Sequence, residues 1–193
     1  MNVREVQLMM FREDEAVPNN PVLPAILYMG AFKDGPERIE AAFNRHNWRN
    51  SWTGGVYDFH HFHSNAHEAL GVVRGSATLQ LGGESGQELE LRAGDVLVLP
   101  AGTGHKRIAA SGDFEVVGAY PDGMSWNLWT VEMGERNRAL SEIRRVPLPD
   151  TDPVHGDDGP LLDHWRTAHS SRDGPEEDER LNPAGLSAQE HFI

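Results

Sequence analysis

Three histidines and one glutamate have the types and spacing that suit a metal ion: His61, His63, Glu68 and His105. His61 and His63 are two positions apart, so both side chains leave the same face if this segment is a β-strand. Same-face residues lie roughly 7 Å apart along a strand, and two imidazoles at that spacing can bind one ion. His105 follows a loop at residues 100–104, rich in Gly and Pro, that can start a new strand beside the first. The pattern predicts that these residues meet at one buried cation.

The fourth ligand position has two candidates in the sequence. Glu68 follows the turn-forming residues 64–67, which can redirect the chain and bring its carboxylate to the histidines, and His67 is the nearest rival. The chain contains no cysteine, so every metal ligand must be a nitrogen or an oxygen. Neutral imidazoles with one carboxylate suit Mn, Fe, Co, Ni, Cu or Zn and do not suit Mg or Ca. We therefore expect one divalent transition metal ion as the cofactor.

These residues stand in two motifs that resemble those of the cupin superfamily. The first motif has a glycine, a His-x-His pair, a glutamate and a second glycine, and every spacing is met here by Gly55, His61, His63, Glu68 and Gly75. The second has a glycine, a Pro-x-Gly segment and a histidine, and it is matched by Gly94, Pro100, Gly102 and His105. Ala109 occupies the position where the second motif has an asparagine. The chain looks most like single-domain bacterial cupins of unassigned function.

The resemblance implies a fold and a ligand set. The fold is an all-β, cupin-type jelly-roll β-barrel, also called a double-stranded β-helix, with short peripheral helices. The implied metal ligands are His61, His63, Glu68 and His105, so the resemblance favours Glu68 over His67. The rest of the sequence agrees with an all-β fold, because short apolar runs alternate with turns in a chain that has 20 Gly and 12 Pro.

The chain divides into four predicted segments. Residues 1–50 are expected to form an N-terminal arm, with edge strands and a short helix, that packs on the barrel. One strand of this arm contains Pro24 and is therefore expected at a sheet edge. Residues 51–121 are the barrel core, and residues 122–169 are a C-terminal extension packed on it. Residues 170–193 have few apolar side chains and an acidic cluster, which predicts a mobile tail.

Charge and composition limit the partners of the protein. The net charge of −13 argues against binding to nucleic acid or to an anionic membrane. No apolar run in the sequence has the length of a membrane span, and the N-terminal residues lack the apolar core of a signal peptide, so we expect a cytoplasmic protein. Cupins commonly pair through their sheets, and the arm offers an edge strand, so the resemblance also implies a homodimer.

Two further residues are candidates for contact with a small-molecule ligand. Tyr57 has the same strand parity as His61, so it can donate a hydrogen bond near the metal or simply form part of the barrel wall. Arg107 shares the parity of His105, so it can hold a carboxylate in a bidentate pair or reach solvent from the end of the strand.

The sequence supports three functional hypotheses. The first is a metal-dependent dioxygenase, isomerase or decarboxylase that acts on a small oxygen-rich metabolite, since all three reactions are known within cupins. The second is a non-catalytic cupin that binds a small ligand, and the third is a cupin with a purely structural metal. No carboxylate other than Glu68 has inward parity in the motif strands, so no catalytic residue is assigned.

Overall fold

Two antiparallel sheets form the barrel in the computed structural model, which describes residues 6–15, 17–130 and 135–172. Within these ranges the strands are, in chain order, β1 (Val6–Met9), β2 (Ala25–Tyr28), β3 (Trp48–Gly54), β4 (His61–Phe62), β5 (Glu68–Arg74), β6 (Ser76–Leu81), β7 (Gln87–Arg92), β8 (Val96–Leu99), β9 (His105–Ala110), β10 (Glu115–Pro121) and β11 (Trp129–Thr130). One sheet has the strand order β1-β2-β8-β5-β10-β3, and the other has the order β11-β4-β9-β6-β7. Strands that follow one another in the chain repeatedly change sheet, which is the predicted jelly-roll arrangement.

Strand β8 is apolar on both faces because it lies at the centre of the six-stranded sheet. It is hydrogen-bonded to β2 on one side and to β5 on the other. Leu97 belongs to the core between the two sheets, whereas Val98 belongs to a second core on the outer face of the six-stranded sheet. Alternation along β5 places Glu68 on the same face as Leu70, which also belongs to the core between the sheets. The barrel interior therefore includes one carboxylate at the start of β5.

Two helices cover the outer face of the six-stranded sheet, α1 (Ile39–Arg45), which follows a 3₁₀ turn at Pro36–Arg38, and α3 (Pro160–Arg172). A further helix, α2 (Arg136–Ile143), instead packs through Ala139 with Phe62 and Trp129 of the five-stranded sheet. The six-stranded sheet accepts α1 closely at Gly71, where a Cβ atom would lie 2.3 Å from Ile39 Cγ2. The outer core is completed by three residues near the start of α3, namely Leu161, Leu162 and Trp165. Both faces of the sheet are thereby buried, which holds the strands of the site in a fixed register.

The structure corrects one prediction about the arm. β1 lies at a sheet edge, as predicted, but β2 does not, because it pairs with both β1 and β8. Pro24 precedes β2, where its missing N–H interrupts no ladder bond. The segment limits inferred from the sequence stay predictions, and the predicted tail lies outside the described residues from 173 onward. Among the helices that the structure describes, none has the length and apolar character needed to cross a membrane.

Candidate metal centre

Strand pairing brings the three predicted histidines to one point. β4 lies beside β9 with His61 directly opposite His105, and His63 follows β4 by one residue. One ring nitrogen of each imidazole lies within 4.8 Å of the other two. All three residues are buried, with between 2% and 6% of their surface exposed. The cluster can hold one metal ion.

Backbone carbonyls set the tautomer of each histidine. Nδ1 of His61 lies 3.1 Å from the carbonyl oxygen of Phe59. Nδ1 of His105 lies 3.0 Å from the carbonyl oxygen of Thr103. Nδ1 of His63 contacts the carbonyl oxygen of Asn127 in the same way. A carbonyl oxygen can only accept, so each Nδ1 carries a proton and donates it. Each Nε2 is therefore free to offer its lone pair to a metal.

Glu68 supplies a carboxylate beside the same nitrogens. The residue is 2% exposed, and its Oε2 lies 3.3 Å from His63 Nε2 and 3.5 Å from His105 Nε2. This oxygen makes no hydrogen bond within the described part of the chain. A buried carboxylate oxygen without a partner is unfavourable, and a divalent cation next to it removes the penalty. The three nitrogens and one oxygen therefore fit the transition metal that the motifs imply.

Burial and neighbouring charges determine the protonation of these groups. Burial, reinforced by the nearby His105, lowers the pKa of His61 to about 3, so this ring is neutral near pH 7. Burial also disfavours charge on His63 and on Glu68, but the attraction between the two outweighs it. The pKa of His63 is raised and the pKa of Glu68 is lowered below its usual value. Glu68 is therefore ionised and could serve as a ligand, and a metal that enters would displace any proton from His63.

Two residues outside the motifs orient Glu68, and the sequence reasoning missed both. Tyr120 donates a hydrogen bond to Glu68 Oε1, and Trp52 Nε1 donates one to the Tyr120 hydroxyl. Tyr120 lies on β10, which pairs with β5. It has the parity of Val116, a residue of the core between the sheets. A tyrosine at an inward position of an apolar strand was the signal that could have identified it.

Asn127 is a third residue that the sequence did not reveal. It lies 64 positions from His63 in the chain, and its carbonyl oxygen accepts a hydrogen bond from His63 Nδ1. Its side-chain Oδ1 accepts a hydrogen bond of 2.9 Å from Ser64 N, and its own N–H donates one of 2.9 Å to Asn65 Oδ1. These reciprocal bonds fix the loop before β11 against the turn after His63. No local pattern in the sequence signals such a contact.

A cavity of about 360 Å³ adjoins the cluster, at the small end of the roughly 300–1,000 Å³ range of small-molecule sites. Besides the four predicted ligands, its lining includes Trp52, Val56, Tyr57, Leu70, Tyr120 and Trp126. Tyr57 and Trp126 are 49% and 38% exposed, which places them at the mouth of the cavity. Each packs edge-on against a histidine of the cluster, with ring centroids 5.1 Å apart in both pairs. The cluster thus opens on an aromatic pocket.

The remaining predicted residues lie in different places. Tyr57 lines the cavity, whereas Arg107 is half-buried and is not among the residues that line it. Arg107 instead donates its backbone N–H to Tyr57 O at 2.8 Å. His67 has both ring nitrogens engaged, since Nδ1 accepts from Ala101 N at 2.9 Å and Nε2 lies 3.2 Å from Pro147 O. His67 is therefore not in position to serve as the fourth ligand.

Comparisons with solved structures give low similarity. Acireductone dioxygenase from Bacillus anthracis, with a cadmium ion in its active center, is 17% identical with a TM-score of 0.33, over 46% of this chain and 59% of that chain. Oxalate decarboxylase from Bacillus subtilis, with Mn(II) centers, is 17% identical with a TM-score of 0.32, over 56% of this chain and 24% of that chain. Vicilin from Solanum melongena is 26% identical with a TM-score of 0.31, over 42% of this chain and 24% of that chain. This chain therefore matches only part of each of these proteins, and they contribute no argument about its site.

Sequence comparisons identify the family. Residues 45–117, which include all four predicted ligands, match the family model Cupin_2, described as a cupin domain. A Bacillus subtilis (strain 168) relative, "Uncharacterized protein YjlB", is 43% identical over 162 residues, which is 84% of this chain and 98% of that protein. The chain, with its jelly-roll sheets and buried histidine cluster, belongs to the cupin family.

Proposed function

We propose that the protein is a metal-dependent enzyme that acts on a small oxygen-bearing molecule bound beside His61, His63, Glu68 and His105. The proposal is supported above all by Glu68 Oε2, a buried carboxylate oxygen that makes no hydrogen bond to any described residue and lies beside the histidine Nε2 atoms at a cavity. A divalent transition ion held there supplies a Lewis acid for a substrate oxygen, as in dioxygenation, isomerisation or decarboxylation.

The residues of the chain hold and shield this site. The three carbonyl acceptors fix the imidazole rings, and ionised Glu68 offsets one positive charge of a bound cation. Trp52, Leu70 and Trp126 exclude water from the wall, which strengthens electrostatic interactions inside the cavity. Tyr57 has a hydroxyl at the mouth that can donate a hydrogen bond to a bound molecule.

The cavity favours catalysis over a purely structural ion. Structural zinc sites are closed by four protein ligands, whereas these donors line a space of about 360 Å³. A binding protein without chemistry differs from an enzyme only in product formation, so the decisive measurement is turnover.

Metal analysis followed by a turnover screen tests the proposal. Protein purified without chelators is expected to retain a divalent transition metal at no more than one equivalent per chain. Protein reconstituted with Mn, Fe, Co, Ni or Zn is then offered diketones, hydroxy acids and enediols, and products are detected by mass spectrometry. A reconstituted protein that converts none of these compounds would overturn the proposal.

A pair of histidine variants controls this screen. His105→Ala is expected to lose both the metal and turnover. His67 is also a buried histidine and precedes Glu68 in the chain, but its ring nitrogens are engaged elsewhere. His67→Gln is therefore expected to keep both the metal and turnover. Turnover that persists in His105→Ala would also contradict the proposal.

We also infer a homodimer that forms through the edge of the six-stranded sheet. β1 is an edge strand, and Leu8 within it and Met10 just after it are 43% and 55% exposed. Exposed apolar edge strands tend to pair with another chain. Light scattering on the full chain is expected to give twice the chain mass, and Leu8→Lys is expected to give monomers. The cytoplasmic location and the absence of nucleic-acid and membrane partners stay predictions.

A further inference from the structure

We infer that the cavity selects a singly charged, bidentate oxygen chelator with a flat apolar body, such as the enolate of an aryl 1,3-diketone, and rejects dianions such as dicarboxylates. This inference rests on the proposed function, because the chelator binds through a metal held by the four predicted ligands. It names the substrate class of that site from the charges and the wall of the cavity.

The charge balance of the cavity supports the preference for a singly charged chelator. Glu68 is the one carboxylate among the lining residues, and no lysine or arginine lines the cavity in the part of the chain that the structure describes. With a divalent ion and neutral imidazoles, the site has a net charge of about +1. A monoanion neutralises it, whereas a dianion leaves one negative charge buried without a partner, which is unfavourable in an apolar environment.

Nearby cations do not change this balance. Lys106 lies outside the cavity lining and pairs with Glu84, with Nζ 2.7 Å from Oε1. Arg107 is also absent from the lining. The net charge of the whole chain is −13, so its long-range field disfavours a second negative charge as well. A 1,3-diketone satisfies the site as its enolate, after it releases one proton to solvent.

The wall of the cavity supports the preference for a flat apolar body. Val56 and Leu70 are buried apolar residues of the lining, and Tyr57 and Trp126 present partly exposed rings at the mouth. Other aromatic rings hold these two in place. Tyr57 stacks on Phe59 with centroids 4.9 Å apart, and Trp126 stacks on Tyr120 with centroids 5.9 Å apart. A flat apolar body that covers both rings removes their surface from water, which favours binding.

Two matched chelators test the charge preference. Acetylacetone and malonate form the same six-membered chelate ring, but the first binds as a monoanion and the second as a dianion. Their dissociation constants are measured by calorimetry on Co²⁺-loaded protein, and each is divided by the value for free Co²⁺ in the same buffer. Acetylacetone is expected to be favoured by about tenfold or more after this correction. An equal or stronger corrected affinity for malonate would overturn the inference.

A cation placed in the wall should weaken the preference for the monoanion. Val56→Lys is expected to improve malonate binding relative to acetylacetone by about tenfold. If that variant does not fold, Trp126→Lys places the same charge at the more exposed mouth. Ile108→Lys is the control, since Ile108 is 47% exposed and does not line the cavity, and it is expected to leave the ratio unchanged. An unchanged ratio in a folded cavity variant contradicts the inference.

The apolar body is tested with 1-phenyl-1,3-butanedione, which adds a phenyl ring to the same chelating group. The wild type is expected to bind it more tightly than acetylacetone after the free-ion correction. Tyr57→Ala or Trp126→Ala should reduce this gain several-fold, whereas Met29→Ala, at an exposed position away from the lining, should not.

The outcomes separate this inference from the proposed function. Protein that takes up no metal overturns both. Protein that takes up metal and prefers malonate overturns the inference alone, because the site then binds a substrate of another charge. Binding is measured without turnover, so the result does not depend on which reaction follows.

Discussion

The Tyr120 hydroxyl donates a hydrogen bond of 2.7 Å to Glu68 Oε1 and accepts one of 2.8 Å from Trp52 Nε1. Tyr120 has no exposed surface, and Glu68 is 2% exposed. With Oε1 engaged by Tyr120, the carboxylate is held with Oε2 beside the histidines. Tyr120 is therefore a positioning residue for Glu68, the proposed metal ligand, and Trp52 in turn positions Tyr120.

Tyr120→Phe is expected to weaken metal binding by about 10–100-fold, the usual effect of losing a residue that orients a ligand. The variant leaves Glu68 Oε1 without its donor, so the carboxylate can rotate away from the cation. The affinity is measured by competition with a coloured chelator of known dissociation constant.

Tyr28→Phe is the matched control for this variant. Tyr28 donates a hydrogen bond of 2.6 Å to the buried carboxylate of Asp152, outside the cavity lining. The control removes the same type of bond and is expected to lower stability without changing the affinity for metal. An equal loss of affinity in both variants would mean that Tyr120 acts only through stability.

Gly118→Ala should disturb the same chain of hydrogen bonds from its other end. A Cβ atom at Gly118 would lie 2.3 Å from Trp52 Cε2, so the indole must move and its bond to Tyr120 is lost. We expect the free energy of unfolding to fall by about 1–3 kcal/mol from overpacking, and metal affinity to fall with it. Gly112→Ala is the control, because a Cβ there meets nothing within 4 Å. Urea denaturation and chelator competition measure the two effects, and wild-type metal affinity in Gly118→Ala would show that Trp52 has no part in positioning.

The meeting of His61, His63 and His105 could be predicted from the sequence because their spacing follows from strand alternation. His61 and His63 leave one face of a strand and its continuation, and His105 falls opposite His61 in the antiparallel register. The neighbours that orient them could not be predicted in the same way. Tyr120 and Asn127 reach the site from segments more than fifty positions away, through a register and a loop that only the folded chain defines.

The wrong prediction that β2 lies at a sheet edge also has a physical reason. A proline within a predicted strand favours an edge position, but the ladder of β2 begins one residue after Pro24, at Ala25. A proline just before a strand removes no ladder bond, so it does not restrict the strand to an edge. Arg107 shows a further limit of counting parity. It pairs with Leu79 in the same register in which His105 pairs with Leu81, so it keeps the parity of His105, yet it is not among the residues that line the cavity.

Metal removal is expected to destabilise the fold. Without a cation, Glu68 Oε2 has no hydrogen-bond partner in the described part of the chain. With free metal at 100 times its dissociation constant, the stabilisation is about 2.7 kcal/mol. Calorimetry should show a lower Tm after chelator treatment and recovery on adding metal. His61→Ala should abolish this response and His67→Gln should keep it, so a metal-dependent Tm in His61→Ala would contradict the ligand assignment.

His67 should make stability depend on pH in the acidic range. Burial lowers its pKa from 6.5 to about 4, although a contact with the Pro147 carbonyl partly opposes the shift. In the unfolded chain His67 takes up a proton as pH falls through 6.5, whereas the folded protein resists protonation until about pH 4. Its contribution is therefore full above pH 6.5 and is lost as pH falls from 6.5 to 4, a total of about 3 kcal/mol.

The His67 contribution is measured as a difference between wild type and His67→Gln. Both metal-free proteins are denatured with urea at a series of pH values between 7 and 4. The site histidines, including His61 with its lowered pKa, contribute equally to both proteins, so subtracting the two curves isolates His67. The variant should be less stable at pH 7, because it loses the bond to Ala101 N and the contact with the Trp165 ring. It should also lose stability less steeply on acidification, and parallel curves would show that His67 is protonated equally in the folded and unfolded chains.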